Sequence, residues 1–172
     1  RKCSNIEIIG GNLIGNLQYF TAQELYEGET TREWGFGIYM RGVENVLIRD
    51  VKVSYCIGDG LAFSWYYYGS YDDAEMVNGY HTNMVTVQNC ISSYNRRQGM
   101  SIIDGCHNFQ ITNCTFEKTG KYLYTSPGAG IDIEPNFNSA VSDNITIRDC
   151  NFIDNYRGIE LYRGAKLITV DN

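Results

Sequence analysis

A short strand pattern recurs along this chain, and it limits the possible folds more than any other feature. Asn83-Met84-Val85-Thr86-Val87-Gln88-Asn89-Cys90, Phe109-Gln110-Ile111-Thr112-Asn113-Cys114, Ile145-Thr146-Ile147-Arg148-Asp149-Cys150 and Val46-Leu47-Ile48-Arg49-Asp50-Val51 superimpose as alternating strands ending at Asn or Asp. Ile6-Glu7-Ile8 and Ile168-Thr169-Val170-Asp171-Asn172 fit the same template. A second strand follows in each unit and opens with glycine, at Gly37, Gly60, Gly99, Gly130 and Gly158. With Ile48, Val87, Ile111, Ile147 and Val170 taken as equivalent, the separations are 39, 24, 36 and 23 residues. The basic unit is therefore about 23 to 25 residues, and the longer units carry insertions. Such a unit, alternating with period two and showing no helical period, buries its inner face only by stacking on its neighbours. The expected fold is all-β, a parallel solenoid running through residues 1–172 as a single domain.

The repeat changes how the six cysteines read. In a short secreted domain that number suggests disulfides. Here Cys90, Cys114 and Cys150 share one column with Val51, so they are expected to stack inside the solenoid as small apolar groups. Phe116 and Phe152 fill the next inward column with Val53. Cys3, Cys56 and Cys106 fall elsewhere and lack zinc-ligand spacing, so no metal site is expected from them. Asn89, Asn113, Asp50 and Asp149 fit corner positions, because Asn and Asp tolerate left-handed backbone.

Charge and hydropathy exclude some partners. Twenty acidic residues against 14 basic ones give a net charge of -6, so no general field draws nucleic acid or anionic lipid. No apolar run approaches the roughly 18 residues a membrane span needs. The pattern stops inside a coil at each end with no polar cap, so the residues are expected to belong to a longer chain.

Candidate chemistry follows from strand alternation. In Gly130-Ile131-Asp132-Ile133-Glu134 the isoleucines point inward, which sends Asp132 and Glu134 outward on one face. Glu160 falls in the Asp132 column one coil on, and Asp104 ends the neighbouring strand. Carboxylates held this close raise at least one pKa, giving a proton donor beside an ionised base. The same oxygens also suit a Ca²⁺ site or a solvated acidic ladder.

Three insertions, at residues 64–81, 118–128 and 135–140, flank the glycine-led strand and are expected to wall one side of a groove. Trp65, Tyr66, Tyr67, Tyr68, Tyr122 and Tyr124 supply aromatic faces on which sugar rings stack. His81 ends the longest insertion with no partner for a nucleophilic triad. Arg97 and Gln98 precede Gly99 and could hold a substrate carboxylate, Arg97 by a two-pronged fork. Asp59, in Gly58-Asp59-Gly60, is equally a site residue or a corner.

The repeat resembles the right-handed parallel β-helix of the pectin-lyase-like superfamily over essentially the whole chain. That resemblance implies polysaccharide chemistry outside the cell or on a virion. The polygalacturonase motifs are missing apart from a lone Asp72-Asp73. Pectate lyases pair Ca²⁺-binding carboxylates with a basic residue, and no Arg adjoins Asp132, although Arg163 lies near the end of the following strand. Tailspike depolymerases are compatible. The expectation is a glycan-binding glycoside hydrolase using Asp132, Glu134, Glu160 and Asp104 without a cofactor. A lyase or epimerase with Ca²⁺, and a non-catalytic adhesin or receptor-binding shaft, remain as alternatives. A homotrimer assembled through regions beyond these residues is compatible with the resemblance.

Overall fold

The computed structural model describes residues 3–26, 33–66, 79–136 and 140–171. The chain winds through coils that each place one strand in each of three parallel sheets. The first coil gives β1 (Ser4–Ile9), β2 (Asn12–Ile14) and β3 (Ile38–Arg41), and the second β4 (Glu44–Arg49), β5 (Lys52–Ser54) and β6 (Leu61–Ser64). The third gives β7 (Asn83–Gln88), β8 (Ile91–Ser93) and β9 (Met100–Ile103), and the fourth β10 (His107–Thr112), β11 (Thr115–Glu117) and β12 (Ala129–Glu134). The last residues add β13 (Ser142–Arg148), β14 (Asn151–Ile153), β15 (Arg157–Leu161) and β16 (Ala165–Asp171). The first sheet runs β1-β4-β7-β10-β13-β16, the second β14-β11-β8-β5-β2 and the third β15-β12-β9-β6-β3.

Register matches the sequence repeat. Ile8, Ile48, Val87, Ile111, Ile147 and Val170 pair successively across the first sheet. All alternate residues on that side point into one continuous core that includes Val46, Val85, Phe109 and Ile145. In the second sheet Phe116 pairs with Phe152, and their rings stack at 5.5 Å. Cys90, Cys114 and Cys150 are buried free thiols, and the Cys90 amide donates to Sγ of Cys114 at 3.4 Å. Apolar burial of this kind supplies most of the driving force, at about 25 cal/mol per Å² removed from water.

The corners are equally repetitive. Asp50, Asn89, Asn113 and Asp149 have φ of 57°, 54°, 52° and 51°, the left-handed region that short polar side chains tolerate. They also bond one another: the Asn89 amide donates to Asp50 at 3.0 Å, and the Asn113 amide to Asn89 at 2.9 Å. The glycines opening the third-sheet strands at Gly37, Gly60, Gly99 and Gly130 have a steric cause. A Cβ on Gly99 would lie 2.5 Å from the Gly130 carbonyl oxygen and 2.9 Å from the Phe116 ring.

A short helix, α1 (Ala22–Tyr26), departs from the all-strand expectation. It lies between β2 and β3 and starts at a reciprocal cap: the Thr21 N–H donates to Glu24 at 2.8 Å, and the Glu24 N–H donates to Thr21 Oγ1 at 3.3 Å. Among the described residues no helix is long and apolar enough to cross a membrane.

Phe116→Ala should remove one of the two stacked rings and cost about 3 to 5 kcal/mol in urea unfolding. A loss below about 1 kcal/mol would show that the stack is not part of the stabilising core.

Candidate functional site

The outer face of the third sheet carries the candidate chemistry. Strand pairing places Tyr39, Ala62, Ser101, Asp132 and Glu160 in one outward column. Glu134 pairs with Ile103 beside it. Tight stacking leaves little room above the middle of this column, and small residues, Ala62 and Ser101, occupy it.

Asp132 does point outward, but it is 0% exposed, which corrects the expectation of an open surface acid. Its Oδ2 accepts a hydrogen bond from Gln98 Nε2 at 2.9 Å, and the carboxyl group also meets Glu134 in a side-chain hydrogen bond. Burial, reinforced by the charges of Glu134 and Glu160 and opposed by Arg97, pushes its pKa up to about 8. The acid is therefore neutral at pH 7. Gln98 is itself buried and accepts the Ala129 N–H at 3.2 Å, so it braces Asp132 and faces no open space.

Arg97 is the centre of a second network. Its Nη1 lies 3.2 Å from Asp59, Nη2 3.4 Å from Glu134, and Nε 3.9 Å from Glu33. Burial works against its charge, but Asp59, Glu134 and Glu33 outweigh that, so the guanidinium holds its proton more firmly than usual. Asp59 is fully buried and also accepts from Ser101 Oγ at 2.7 Å. Burial raises its pKa to about 6 against the pull of Arg97. The expected fork for a substrate carboxylate is thus already engaged by internal acids. A Ca²⁺ ion does not fit this donor set either, because Arg97 stands where Asp59, Glu134 and Glu33 meet.

Glu160 is half-buried and lies 3.3 Å from Arg157 Nε. Asp104 is a corner rather than a free acid: it has φ of 44°, is buried, and accepts the Asn136 N–H at 2.7 Å.

Above this floor opens a cavity of about 350 Å³. Arg97, Glu134 and Asp104 line it on the sheet side, and Trp34, Phe36, Tyr39 and Trp65 supply aromatic walls. Glu33, Arg41 and Asn136 complete the rim. Trp34 is 70% exposed, whereas Trp65 is 4% exposed and packs by a stacked contact at 6.4 Å on His81. Trp65 therefore fastens its insertion to the body and shows the cavity only an edge.

Several candidates do not come together here. Tyr66 forms an antiparallel bridge with Tyr80 and lies 5.6 Å below the Arg41 guanidinium carbon. His81 bonds the Gly105 carbonyl at 2.9 Å and adjoins His107, which pairs with Asp143 at 2.7 Å, away from the cavity lining. Tyr122 donates to the Gln18 carbonyl at 3.0 Å, and Tyr124 packs on Tyr156 at 4.2 Å. Tyr67 and Tyr68 lie outside the described residues, as do Asp72 and Asp73. Ser64, Trp65 and Asn136, from the first and third insertions, line the cavity, while residues 67–78 and 137–139 lie outside the described residues.

Glu33, Trp34, Phe36, Tyr39 and Arg41 were not among the residues singled out from sequence. The signal was available in the 40 residues from Ile8 to Ile48, far longer than the basic unit, which mark an insertion in the first coil.

Three parallel sheets wound coil on coil, with a groove on one outer face, define a β-helix. The model of the right-handed β-helix region matches residues 3–172, and the chain belongs to that family. It is 31% identical over 173 residues to the SPbeta prophage-derived uncharacterized protein YorA of Bacillus subtilis (strain 168), covering 98% of this chain and 29% of that protein. It is 34% identical over 159 residues to uncharacterized protein YclG of the same organism, covering 90% of this chain and 26% of that protein. The chain thus spans less than a third of the length of these relatives. No solved structure matches it.

The raised pKa of Asp132 has a stability consequence. Between about pH 4 and pH 8 the folded form keeps a proton that the unfolded chain has lost, so stability falls as pH rises through that window. Asp132→Asn removes this contribution. Its stability relative to wild type, measured by urea unfolding, should rise steadily from pH 5 to pH 8; a constant difference would mean that Asp132 titrates normally.

Proposed function

We propose that the protein binds a polysaccharide along the outer face of the third sheet and hydrolyses it, with Asp132 as proton donor and Glu134 as the paired carboxylate. The observation that carries this is a buried acid neutral at pH 7 two residues along one strand from a carboxylate that opens onto an aromatic-walled cavity. Their Cβ atoms, i and i+2 on one strand, stand about 6.5 to 7 Å apart, and the carboxyl groups, which meet in a hydrogen bond in the free protein, reach the separation of glycosidase pairs when they turn apart. Glu134 pairs with Arg97 Nη2 at 3.4 Å, a contact that suits it to act as base or nucleophile, while Asp132 keeps the proton needed by the leaving oxygen. Glu160, on the other side of Asp132, helps to keep that proton in place.

Asp132 is closed off in the free protein. Hydrolysis therefore requires the flexible Glu134 and Glu160 side chains beside it to part when a glycan lies along the sheet. Trp34, Phe36 and Tyr39 provide apolar faces for sugar rings, and the cavity volume falls in the usual range for small-molecule sites, about 300 to 1,000 Å³. A lyase mechanism is less well supported, because Arg97, the cation at the centre of the site, is committed to three carboxylates. The proposed partner is a bacterial or other cell-surface glycan met outside the cell or on a virion. The prophage origin printed in YorA's name supports the tailspike-like form of this proposal.

Incubation with a polysaccharide panel should release new reducing ends. Glu134→Gln and Asp132→Asn should each lower turnover by about 10² to 10⁴-fold while leaving binding nearly intact. Activity should fall as pH rises through about 8, where Asp132 loses its proton. Absorbance of an unsaturated uronate would replace hydrolysis by elimination. Binding with no product of either kind would leave an adhesin.

A further inference from the structure

The charges around the cavity are unbalanced in a way that selects among glycans. Among the described residues four carboxylates, Glu33, Asp59, Asp104 and Glu134, face or directly back the cavity, against two guanidinium groups, Arg41 and Arg97. Arg97 lies within 4 Å of three of those carboxylates. Drawing it toward an anionic ligand would leave Asp59 buried beside only Ser101, an unfavourable position for an unpaired charge. Arg41 is held at the other end, with its guanidinium carbon 5.9 Å from the Tyr39 ring centroid and 5.6 Å from that of Tyr66, and its Nε donates to the Trp65 carbonyl at 3.4 Å. Asp132, fully buried and hydrogen-bonded to Glu134, lies in the same acidic cluster.

A chain bearing uronate, sialate or sulfate groups would bring more negative charge into a site already in acidic excess. An ammonium group meets the opposite situation. Among the described residues, Glu33 and Glu134 are cavity carboxylates with solvent-reachable side chains, and Trp34, 70% exposed, offers a ring face that attracts cations.

Resting on the glycan reading above, we propose that this groove selects a hexosamine polymer with free amino groups and rejects polyanionic glycans. The sugar rings lie on Trp34, Phe36 and Tyr39, and the ammonium groups pair with Glu33 and Glu134. This reverses the sequence expectation that Arg97 recognises a uronate.

Calorimetric titration with three oligosaccharides of equal length tests it: a glucosamine oligomer, its N-acetylated counterpart and a galacturonate oligomer, at about pH 6 so that the amines are charged. The glucosamine oligomer should bind at least about 10-fold more tightly than the acetylated one, and the galacturonate oligomer should not bind measurably. Glu33→Gln should weaken the glucosamine oligomer about 3 to 10-fold, whereas Glu7→Gln, an exposed acid on the first sheet, should leave it unchanged. Equal weakening by both variants would show general attraction to an acidic protein and overturn the site. Binding of galacturonate as tight as glucosamine would overturn the charge selection and leave glycan binding standing. Acetylated and free oligomers binding equally would do the same. No binding to any oligomer, together with no product from the polysaccharide panel, would remove the glycan reading itself.

Discussion

A coil of about 24 residues has no inner partner of its own, so each inward side chain is buried only by the coil before it and the coil after it. Everything else in the structure depends on that stacking. Parallel pairing in fixed register sets the same inward position of successive coils about 4.8 Å apart, and shapes that stack well recur there. Ile8, Ile48, Val87, Ile111, Ile147 and Val170 form such a column, as do the Phe116 and Phe152 rings. The thiols of Cys90, Cys114 and Cys150 are the compact version of it. At the corners the same spacing lets Asn89 and Asn113 pass hydrogen bonds from coil to coil, so left-handed turns that would be local strains become a ladder.

The constraint applies to the outer face as well. A column position that carries a carboxylate in two successive coils forces like charges within about 5 Å, an unfavourable pairing. The third sheet relieves it in three ways. Asp132 keeps a proton, Glu160 has Arg157 at 3.3 Å, and the earlier coils place Ala62 and Ser101 in the column. The perturbed acid is thus a consequence of register and burial acting together. Neither alone would shift it so far, since an isolated outward Asp would be solvated and an isolated buried one would feel no neighbouring carboxylates.

Most of the fold could be read from the chain because the repeat encodes it twice, in apolar alternation and in the Asn or Asp and Gly punctuation. The Asp132 and Glu160 register followed from the same count. What could not be read was which outward residues are covered. Alternation gives the side of the sheet on which Asp132 stands, but its burial depends on side chains from several coils. Trp65 illustrates the converse: an aromatic residue in a long insertion suggests an exposed platform, yet it turns inward onto His81. Arg97 looked available because its partners Glu33, Asp59 and Glu134 lie 64, 38 and 37 residues away in sequence. The first-coil insertion follows no repeat, so its capping box and its aromatic wall had to be found one residue at a time.

That long-range convergence assigns Arg97 a structural task beyond charge balance. Glu33 belongs to the first coil's insertion, Asp59 to a second-coil corner, Arg97 to the third coil and Glu134 to a fourth-coil strand. Backbone bonds tie the end of the insertion to the second coil, from the Gly58 N–H to the Gly35 carbonyl at 2.9 Å and from the Gly37 N–H to the Asp59 carbonyl at 3.0 Å, and the Arg97 network adds side-chain links to the later coils. The guanidinium fork crosses four coils and, with those backbone bonds, sets where Trp34 and Phe36 stand relative to Glu134. A buried ion network of this kind contributes little net stability once desolvation is counted, but it specifies one arrangement sharply because each misplaced charge is costly. The geometry of the cavity is therefore set by electrostatics at its floor, while the solenoid beneath is set by apolar register.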